Sequence, residues 1–238
     1  MRANGSIDTH TCDLKQIKLN IGGRYMNTRE KASLMNQLYA AICKNHNGKM
    51  EGMWSLSTSC HLNPYCQARH KNGDSICSKC FAVRQTACQH SLAEKLGRNT
   101  ELLTKEVIPE DCWPAVPLNI FRLESFGDLN NVIQIENYFN FAKENLTTVF
   151  ALWTKNVFLF PKAREAGIKK PENLIIIESA PLLNTPIEPS DEWVDKIFVV
   201  WDKSHKGEEM VNCGGKRCIE CQNCYRFDGP KVINEIVK

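Results

Sequence analysis

The feature that most constrains this chain is a run of four cysteines near its C-terminus, in the stretch NCGGKRCIECQNCY. Four more lie upstream, in TSCHLNPYCQARHKNGDSICSKCFA. We refer to them as the C-terminal cysteine group (Cys213, Cys218, Cys221 and Cys224) and the N-terminal cysteine group (Cys60, Cys66, Cys77 and Cys80). The chain has 12 cysteines, and ordinary core packing does not require eight of them to cluster. Thiolates spaced this closely are typical of backbone wrapped around a soft metal ion or an inorganic cluster.

Disulfide bonds are the first alternative, because cysteine-rich chains are often small secreted proteins. The first residues, MRANGSIDTHTCDLK, contain no apolar segment of the kind that forms a signal peptide. A chain of 238 residues can also bury a sizeable core without covalent cross-links. The sequence therefore predicts a reducing, cytoplasmic setting, in which clustered cysteines more often bind metal.

Zinc and iron–sulfur clusters are both consistent with cysteine groups of this kind. Four thiolates hold zinc as a tetrahedron, and Cys77-x2-Cys80 is a spacing that zinc sites use. The run Cys218, Cys221 and Cys224 has two successive x2 spacings instead. It resembles the C-x2-C-x2-C segment of bacterial ferredoxins, in which three thiolates bind one 4Fe–4S cube. The spacing favours one or two 4Fe–4S clusters, with all eight cysteines as ligands and zinc as the alternative. Cys213 could be the fourth ligand of the C-terminal cube, or it could ligate a site upstream.

The composition is ordinary for a globular protein, with 42% hydrophobic and 24% charged residues. No apolar stretch has the length of a membrane span, so no membrane partner is expected. The formal net charge of +3 counts cysteines as neutral, and two 4Fe–4S cubes with their thiolates, at about −2 each, would cancel it. The charge is therefore no nucleic-acid signature. Four basic residues are expected on a solvated helix face and turn: Lys162, Arg164, Lys169 and Lys170.

The middle of the chain alternates buried strands with amphipathic helices. Apolar runs predict strands at 117–125, 147–155, 173–179 and 196–202. Helical periodicity predicts helices at 28–44, 130–144 and 156–166, the first capped by Asn27 and Glu30. This alternation indicates α/β architecture with a parallel sheet, either open or a partial barrel of βα units. We expect one domain over residues 1–238, with cysteine-rich, metal-binding segments at 60–80 and 213–224.

A helical pattern follows the N-terminal cysteine group, with one stripe formed by Phe81, Arg84, Cys88, Leu92 and Leu96. Cys77 and Cys80 should therefore lie at or near a helix N-terminus. Free N–H groups and the positive end of the helix dipole favour thiolates there. Cys88 and Cys112 lie outside both groups and are expected to pack as small apolar side chains.

Polar residues stand where the predicted strands end. Arg122, Glu124 and Asp128 mark the end of the first strand, Lys155 the second and Glu178 the third. Ligand sites of parallel α/β sheets lie at the C-terminal ends of the strands. A charged side chain beside a buried strand is usually paired or functional. Four of these residues are our candidates for a catalytic pocket: Glu124, Asp128, Lys155 and Glu178.

The order of these motifs is similar to that of a phage protein family. The segments TSC, CSKCFA, FRLESFGDL, FALWTKN, PENLIIIESA and NCGGKRCIECQNCY follow one another along the chain. Over residues 55–226 the pattern resembles the "gene product eighty-eight" family, whose members occur in phages and mobile elements of gut bacteria. The resemblance implies a viral or prophage origin, the cytoplasm of a bacterial host and iron–sulfur binding, but no particular activity.

Our leading hypothesis is a 4Fe–4S protein that transfers electrons, or supports a redox or radical-type reaction, at the strand ends. The layout invites comparison with radical S-adenosylmethionine enzymes, but their C-x3-C-x2-C loop is absent. The sequence leaves open whether the chain is an enzyme, such as an iron–sulfur oxidoreductase. The expected partner is a redox protein or a small-molecule substrate. The alternative is a nucleic-acid-binding or interaction protein in which the clusters, or zinc, are structural.

Overall fold

The computed structural model describes residues 26–116, 118–205 and 211–237. Its α-helices are α1 Thr28–Ala41, α2 Pro64–Lys71, α3 Phe81–Cys88, α4 His90–Thr104, α5 Val132–Lys143, α6 Phe160–Glu165 and α7 Cys218–Cys221. Its strands are β1 Cys43–Lys44, β2 Trp54–Leu56, β3 Ile120–Leu123, β4 Val149–Thr154, β5 Leu174–Ser179, β6 Lys196–Trp201 and β7 Val232–Ile236. Residues 1–25 of the predicted domain lie outside the described residues.

The elements predicted from periodicity are present with shorter bounds. The four predicted strands correspond to β3, β4, β5 and β6, and the three predicted helices to α1, α5 and α6. The cap of α1 is also confirmed. The Asn27 side chain accepts a hydrogen bond from the Glu30 N–H at 2.9 Å, and the Glu30 carboxylate accepts one from the Asn27 N–H at 3.0 Å. This reciprocal pair satisfies two backbone donors that the helix would otherwise leave free.

The strands of the described residues form one seven-stranded sheet in the order of the chain, from β1 to β7. Strand β1 runs antiparallel to β2, and every other neighbouring pair is parallel. The α/β prediction is confirmed, and the sheet is open. From β2 onwards each strand pairs with the next one along the chain, so all crossovers proceed across the sheet in one direction. Right-handed crossovers in one direction place the connecting helices on one face of the sheet. The opposite face must be covered by something else.

Alternate residues of the central strands bury the two faces in two different cores. On the first face, Phe121, Phe150 and Ile176 pack with helices α1, α4, α5 and α6. On the second face, Ala151, Trp153 and Ile177 pack with residues of the C-terminal cysteine segment, including Tyr225, Cys218 and Cys224. Both faces of the strands are therefore dry, which explains why β4 and β5 have nearly unbroken apolar sequences.

Some expectations about the cysteine-rich region were wrong. The predicted stripe after Cys77 is not continuous, because α3 ends at Cys88 and α4 begins at His90. Cys88 is exposed rather than packed, whereas Cys112 is fully buried as predicted. Strand β7 gave no sequence signal that we recognised, since its five residues, VINEI, alternate only weakly. Among the described residues, no helix is both long and apolar enough to cross a membrane.

Candidate metal centres

The N-terminal cysteine group lies beyond the carboxyl ends of β2 and β3. Cys60 follows β2, Cys66 lies in the first turn of α2, and Cys80 is the residue before α3. The turn that carries Cys66 is fixed locally, because the Asn63 side chain caps α2 by accepting from the Cys66 N–H at 3.3 Å. The amide of Asn63 also donates to the Asp128 carbonyl at 2.8 Å. The group is thereby tied to the chain that leaves β3.

The thiols of this group interact with one another and with two carboxylates. Burial, and after it the charge of Cys80, raises the pKa of Cys60 to about 11. Burial also raises the pKa of Cys66, followed by the charges of Asp128, Glu124, Cys60 and Cys77. These surroundings favour the protonated form of Cys60 and Cys66. A bound metal would reverse this preference, since coordination deprotonates a thiol outright.

Glu124 is a buried hub beneath the N-terminal group. Its carboxylate accepts hydrogen bonds from the Thr58 N–H at 3.2 Å and hydroxyl at 2.8 Å, from the Gln134 amide at 2.7 Å and from the Tyr138 hydroxyl at 2.5 Å. Burial raises the pKa of Glu124 to about 7, although these donors oppose the rise. Glu124 also has φ +56°, a left-handed conformation that non-glycine residues adopt only when their surroundings impose it. The hub joins β2, β3 and α5.

Gly127 allows the turn after β3 to lie directly against this hub. A Cβ atom at Gly127 would lie 2.5 Å from the Thr58 hydroxyl oxygen and 2.9 Å from a carboxylate oxygen of Glu124. Any side chain at this position would therefore collide with both neighbours. The close approach explains why the sequence has a glycine between Phe126 and Asp128.

Asp128 uses both carboxylate oxygens to hold the end of β4. One oxygen accepts from the Leu129 N–H at 2.8 Å and the Thr154 hydroxyl at 2.5 Å, and the other accepts from the Lys155 N–H at 2.9 Å. Burial raises the pKa of Asp128, while the charge of Lys155 opposes the rise. Asp128, like Glu124, thus lies within the protein and supports the strand ends.

A pocket of about 140 Å³ opens beside these strand ends, and two of the four candidate residues line it. Lys155 and Glu178 share this pocket with Arg69 and Ser190. The Glu178 carboxylate accepts from the Ser190 N–H at 2.8 Å and hydroxyl at 2.6 Å. Glu124 and Asp128 do not line this pocket, and their predicted catalytic role stays a prediction.

The strand-end pocket adjoins the N-terminal cysteine group through α2. The Tyr65 hydroxyl donates to the Lys155 carbonyl at 2.7 Å and accepts from Arg69 Nε at 3.2 Å. Tyr65 precedes Cys66 in the chain, and the charge of Cys77 contributes to the raised pKa of Tyr65, after burial and Asp128. The pocket and the thiols are therefore neighbours on one edge of the sheet.

The C-terminal cysteine group lies on the second face of the sheet. Cys213 forms a parallel bridge with Glu235 of β7, and Cys218 and Cys221 are the first and last residues of α7. Cys218 and Cys224 pack against the apolar residues of this face. The segment provides the cover that the one-sided helices do not supply.

Two cations, Lys49 and Arg122, lie beside the C-terminal group. Lys49 Nζ lies 3.2 Å from the Cys213 sulfur and 2.5 Å from a carboxylate oxygen of Glu235. Burial raises the pKa of Cys224 to about 12; the charge of Arg122 opposes the rise, and those of its three partner thiols add to it. Burial likewise raises the pKa of Cys218, with Lys49 and Arg122 opposing. These thiols interact with one another and with two positive charges.

Two buried polar atoms next to the C-terminal group have no hydrogen-bond partner. The guanidinium of Arg122 stacks on the ring of Trp153, 3.7 Å from its centroid, and the rings of Trp153 and Tyr225 lie 5.9 Å apart. Neither Arg122 Nε nor the Tyr225 hydroxyl has a partner at hydrogen-bond geometry. Unpaired buried donors are rare in proteins, and each calls for an explanation.

The donor sets fit a soft, sulfur-bound group better than a hard cation, because each consists of four thiols. In the described parts of the chain, no three ligand-type side chains converge closely enough to hold a single metal ion. Zinc would need sulfurs about 3.8 Å apart, which follows from a 2.3 Å bond and tetrahedral angles. A 4Fe–4S cube binds each thiolate at a separate iron and spans a wider set. The unpaired donors beside the C-terminal group also suit an anionic cluster.

The sequence analysis missed several residues that the sites use. Lys49 lies 164 positions before Cys213, and no local pattern connects them. Arg69 lies three positions after Cys66 on α2, a spacing that puts both on one helix face and could have been recognised. Tyr225 directly follows Cys224, but its unpaired hydroxyl depends on how the C-terminal segment docks on the sheet.

Comparisons with known proteins give this chain no relative. No family model matches it, no curated protein matches it and no solved structure matches it. The resemblance to the phage family therefore stays a hypothesis. The function has to be argued from the geometry of the two cysteine groups and the pocket.

Proposed function

We propose that this chain is an iron–sulfur protein of phage or mobile-element type, with one 4Fe–4S cluster in each cysteine group. The observation that carries the proposal is the gathering of eight cysteines into two sets of four. In each set the thiols are wholly or partly buried and interact with thiols of their own set. All eight are free rather than joined in disulfides. Apolar packing alone does not explain why four ionisable thiols lie next to one another in each set.

The N-terminal group is the proposed reaction site, because the strand-end pocket adjoins it. When bound, a 4Fe–4S cluster supplies reversible one-electron transfer. Lys155 and Glu178 would orient a substrate by one cationic and one anionic group, and Arg69 adds a second cation. A volume of about 140 Å³ suits a small molecule or one end of a larger one. A redox protein docking over the same edge is the other partner that this arrangement suits.

The nucleic-acid alternative receives less support from the surface charges. Arg164 forms two hydrogen bonds with the Asp191 carboxylate, at 2.7 and 2.9 Å, and Lys170 forms one with Asp195 at 2.5 Å. Two of the four basic residues near 162–170 are thus neutralised by structural ion pairs. A phosphate-binding surface needs cations that are available to release counterions from the nucleic acid.

The test is anaerobic purification of the full chain, followed by absorption and electron paramagnetic resonance spectra with iron and sulfide analysis. We expect a brown protein with about eight iron and eight sulfide per chain, as two 4Fe–4S clusters require. Colourless protein containing stoichiometric zinc would support the structural alternative and reject the redox proposal. Binding of candidate substrates can then be compared between the wild type and Lys155→Ala, whose pocket lacks the ammonium group.

A further inference from the structure

We infer that Arg122 and Tyr225 donate hydrogen bonds to sulfur atoms of the cluster in the C-terminal cysteine group and raise its reduction potential. The inference rests on the proposed function, because it requires that cluster. It gives a role to two donors that the fold leaves unpaired. They act on the cluster through hydrogen bonds to its sulfurs and do not ligate its iron.

Both donors are buried. The side chain of Tyr225 is 4% exposed, and its hydroxyl has no acceptor. Arg122 Nε is buried and also lacks one. A buried donor without an acceptor destabilises a protein, so native structures nearly always supply a partner. An acceptor that binds between these groups removes the penalty.

Both donors lie next to the C-terminal cysteine group. Tyr225 directly follows Cys224 and packs with Trp153, Cys218 and Cys224 in one cluster, and Arg122 stacks on the ring of that tryptophan. None of the hydrogen bonds of the described residues joins Arg122 or Tyr225 to a cysteine sulfur, so the thiols themselves do not satisfy the donors. A cluster brings inorganic sulfides in addition to the four thiolates, and these sulfurs accept hydrogen bonds.

Packing against Trp153 holds both donors in place. Arg122 belongs to β3 and stacks on Trp153 of β4, and the rings of Trp153 and Tyr225 lie 5.9 Å apart. The sheet register places Arg122 opposite Ala151, two residues before Trp153, so the stack is built from adjacent strands. The guanidinium cannot turn away without losing this contact. Donors fixed in advance stabilise added negative charge without reorganisation.

The expected effect is on the reduced cluster, which carries one more negative charge than the oxidised one. Hydrogen bonds to cluster sulfurs are among the features that set iron–sulfur potentials. Loss of one donor to a charged acceptor should shift the reduction equilibrium about tenfold towards the oxidised form. For a one-electron couple this corresponds to a potential lower by about 59 mV.

The experiment is a redox titration of the full, cluster-loaded chain by electron paramagnetic resonance, comparing wild type with Tyr225→Phe and Arg122→Lys. Arg122→Lys keeps the positive charge but removes the Nε donor, and it provides a second route if the other variant assembles poorly. We expect both variants to lower the potential of the C-terminal cluster and to leave the N-terminal cluster unchanged. Tyr39→Phe is the matched control, because it removes a hydroxyl from an exposed tyrosine of α1.

Each outcome decides the inference. If each cluster has the same potential in the wild type and in both variants, the inference is overturned and the proposed function stays intact. A shift in both clusters, or in the Tyr39→Phe control, would also overturn it, because the effect would not be local. A chain that binds zinc or no metal would reject the proposed function itself.

Discussion

The two cysteine groups have the same number of thiols but different surroundings. The N-terminal group lies over two buried carboxylates, Glu124 and Asp128, at the edge of the sheet that carries the strand-end pocket with its cations Arg69 and Lys155. The C-terminal group lies against one face of the sheet, next to Arg122 and to Lys49, which is paired with Glu235. Negative neighbours disfavour both thiolates and an extra electron, and positive neighbours favour them. One fold thus places two similar sets of four cysteines in different electrostatic surroundings.

From this difference we expect the two clusters to have different roles. A cluster in negative surroundings is a stronger reductant than one in positive surroundings, other factors being equal. The N-terminal site combines that property with a neighbouring pocket, as a site of chemistry requires. The C-terminal site is covered by packing and closes the second face of the sheet. Its cluster would serve as a stable support and a reservoir for electrons.

The largest expected effect separates the two groups by deletion. Cys66→Ala should abolish the N-terminal cluster and Cys224→Ala the C-terminal one, because the thiols of each group interact within that group. Each variant should lose about half of its iron and sulfide, measured per chain after anaerobic purification. Cys88→Ala is the control and should keep the full content, since Cys88 is exposed and outside both groups. Complete loss of iron in either variant would show that the two groups form a single site.

The second prediction concerns the hub beneath the N-terminal group. Burial raises the pKa of Glu124 to about 7 from its ordinary value of 4.5, so the folded state binds its proton more tightly than the unfolded state. The bound proton contributes about 3 kcal/mol to the free energy of unfolding. This contribution is fully present below pH 4.5 and is lost as the pH rises to 7. Glu124→Gln cannot ionise, so its free energy of unfolding should lack this dependence on pH. Denaturant titrations between pH 5 and 8 should therefore show a free energy of unfolding that falls more in the wild type; parallel curves would contradict the account.

The third prediction uses a pair of glycines that flank the same site. Gly127→Ala would force a methyl group against Thr58 and Glu124, and it should lower the free energy of unfolding by about 2 kcal/mol. Gly73→Ala is the matched control, because nothing lies within 4 Å of its added Cβ. The N-terminal cluster should lose occupancy in the first variant only. Equal stability of the two variants would show that Gly127 does not approach the hub.

The smallest expected effect is at the other group. Lys49→Met removes the cation beside Cys213 and leaves Glu235 without its ion-pair partner. The free energy of unfolding should fall by about 1 kcal/mol, since the pair is only partly buried. The potential of the C-terminal cluster should fall, while that of the N-terminal cluster should not. An unchanged potential of the C-terminal cluster would contradict the claim that Lys49 raises it.

Much of this arrangement follows from the sequence, because the central strands are buried on both faces and so have continuous apolar runs. That Lys155 and Glu178 line one pocket was also predictable, because they lie at the ends of neighbouring parallel strands, where Thr154 pairs with Glu178. Glu124 was not expected to point into the protein. Its left-handed backbone and its contacts with Tyr138 depend on how α5 packs, which no local pattern encodes.

The C-terminal cysteine group was recognisable in the sequence, but its surroundings were not. The spacing of its cysteines indicates a cluster, yet the positions of Lys49 and Arg122 follow from strand pairing and from docking of the segment on the sheet. Long-range contacts of this kind leave no periodic signal in the chain. The electrostatic contrast between the two groups therefore emerges only from the folded structure.

The most direct test of the two-site account is a potentiometric titration of the anaerobic wild-type chain, with the electron paramagnetic resonance signal quantified at each potential. We predict two separate one-electron waves, each for one 4Fe–4S cluster, with the wave that disappears in Cys224→Ala at the higher potential. A single wave, or a Cys224-dependent wave at the lower potential, would contradict the account.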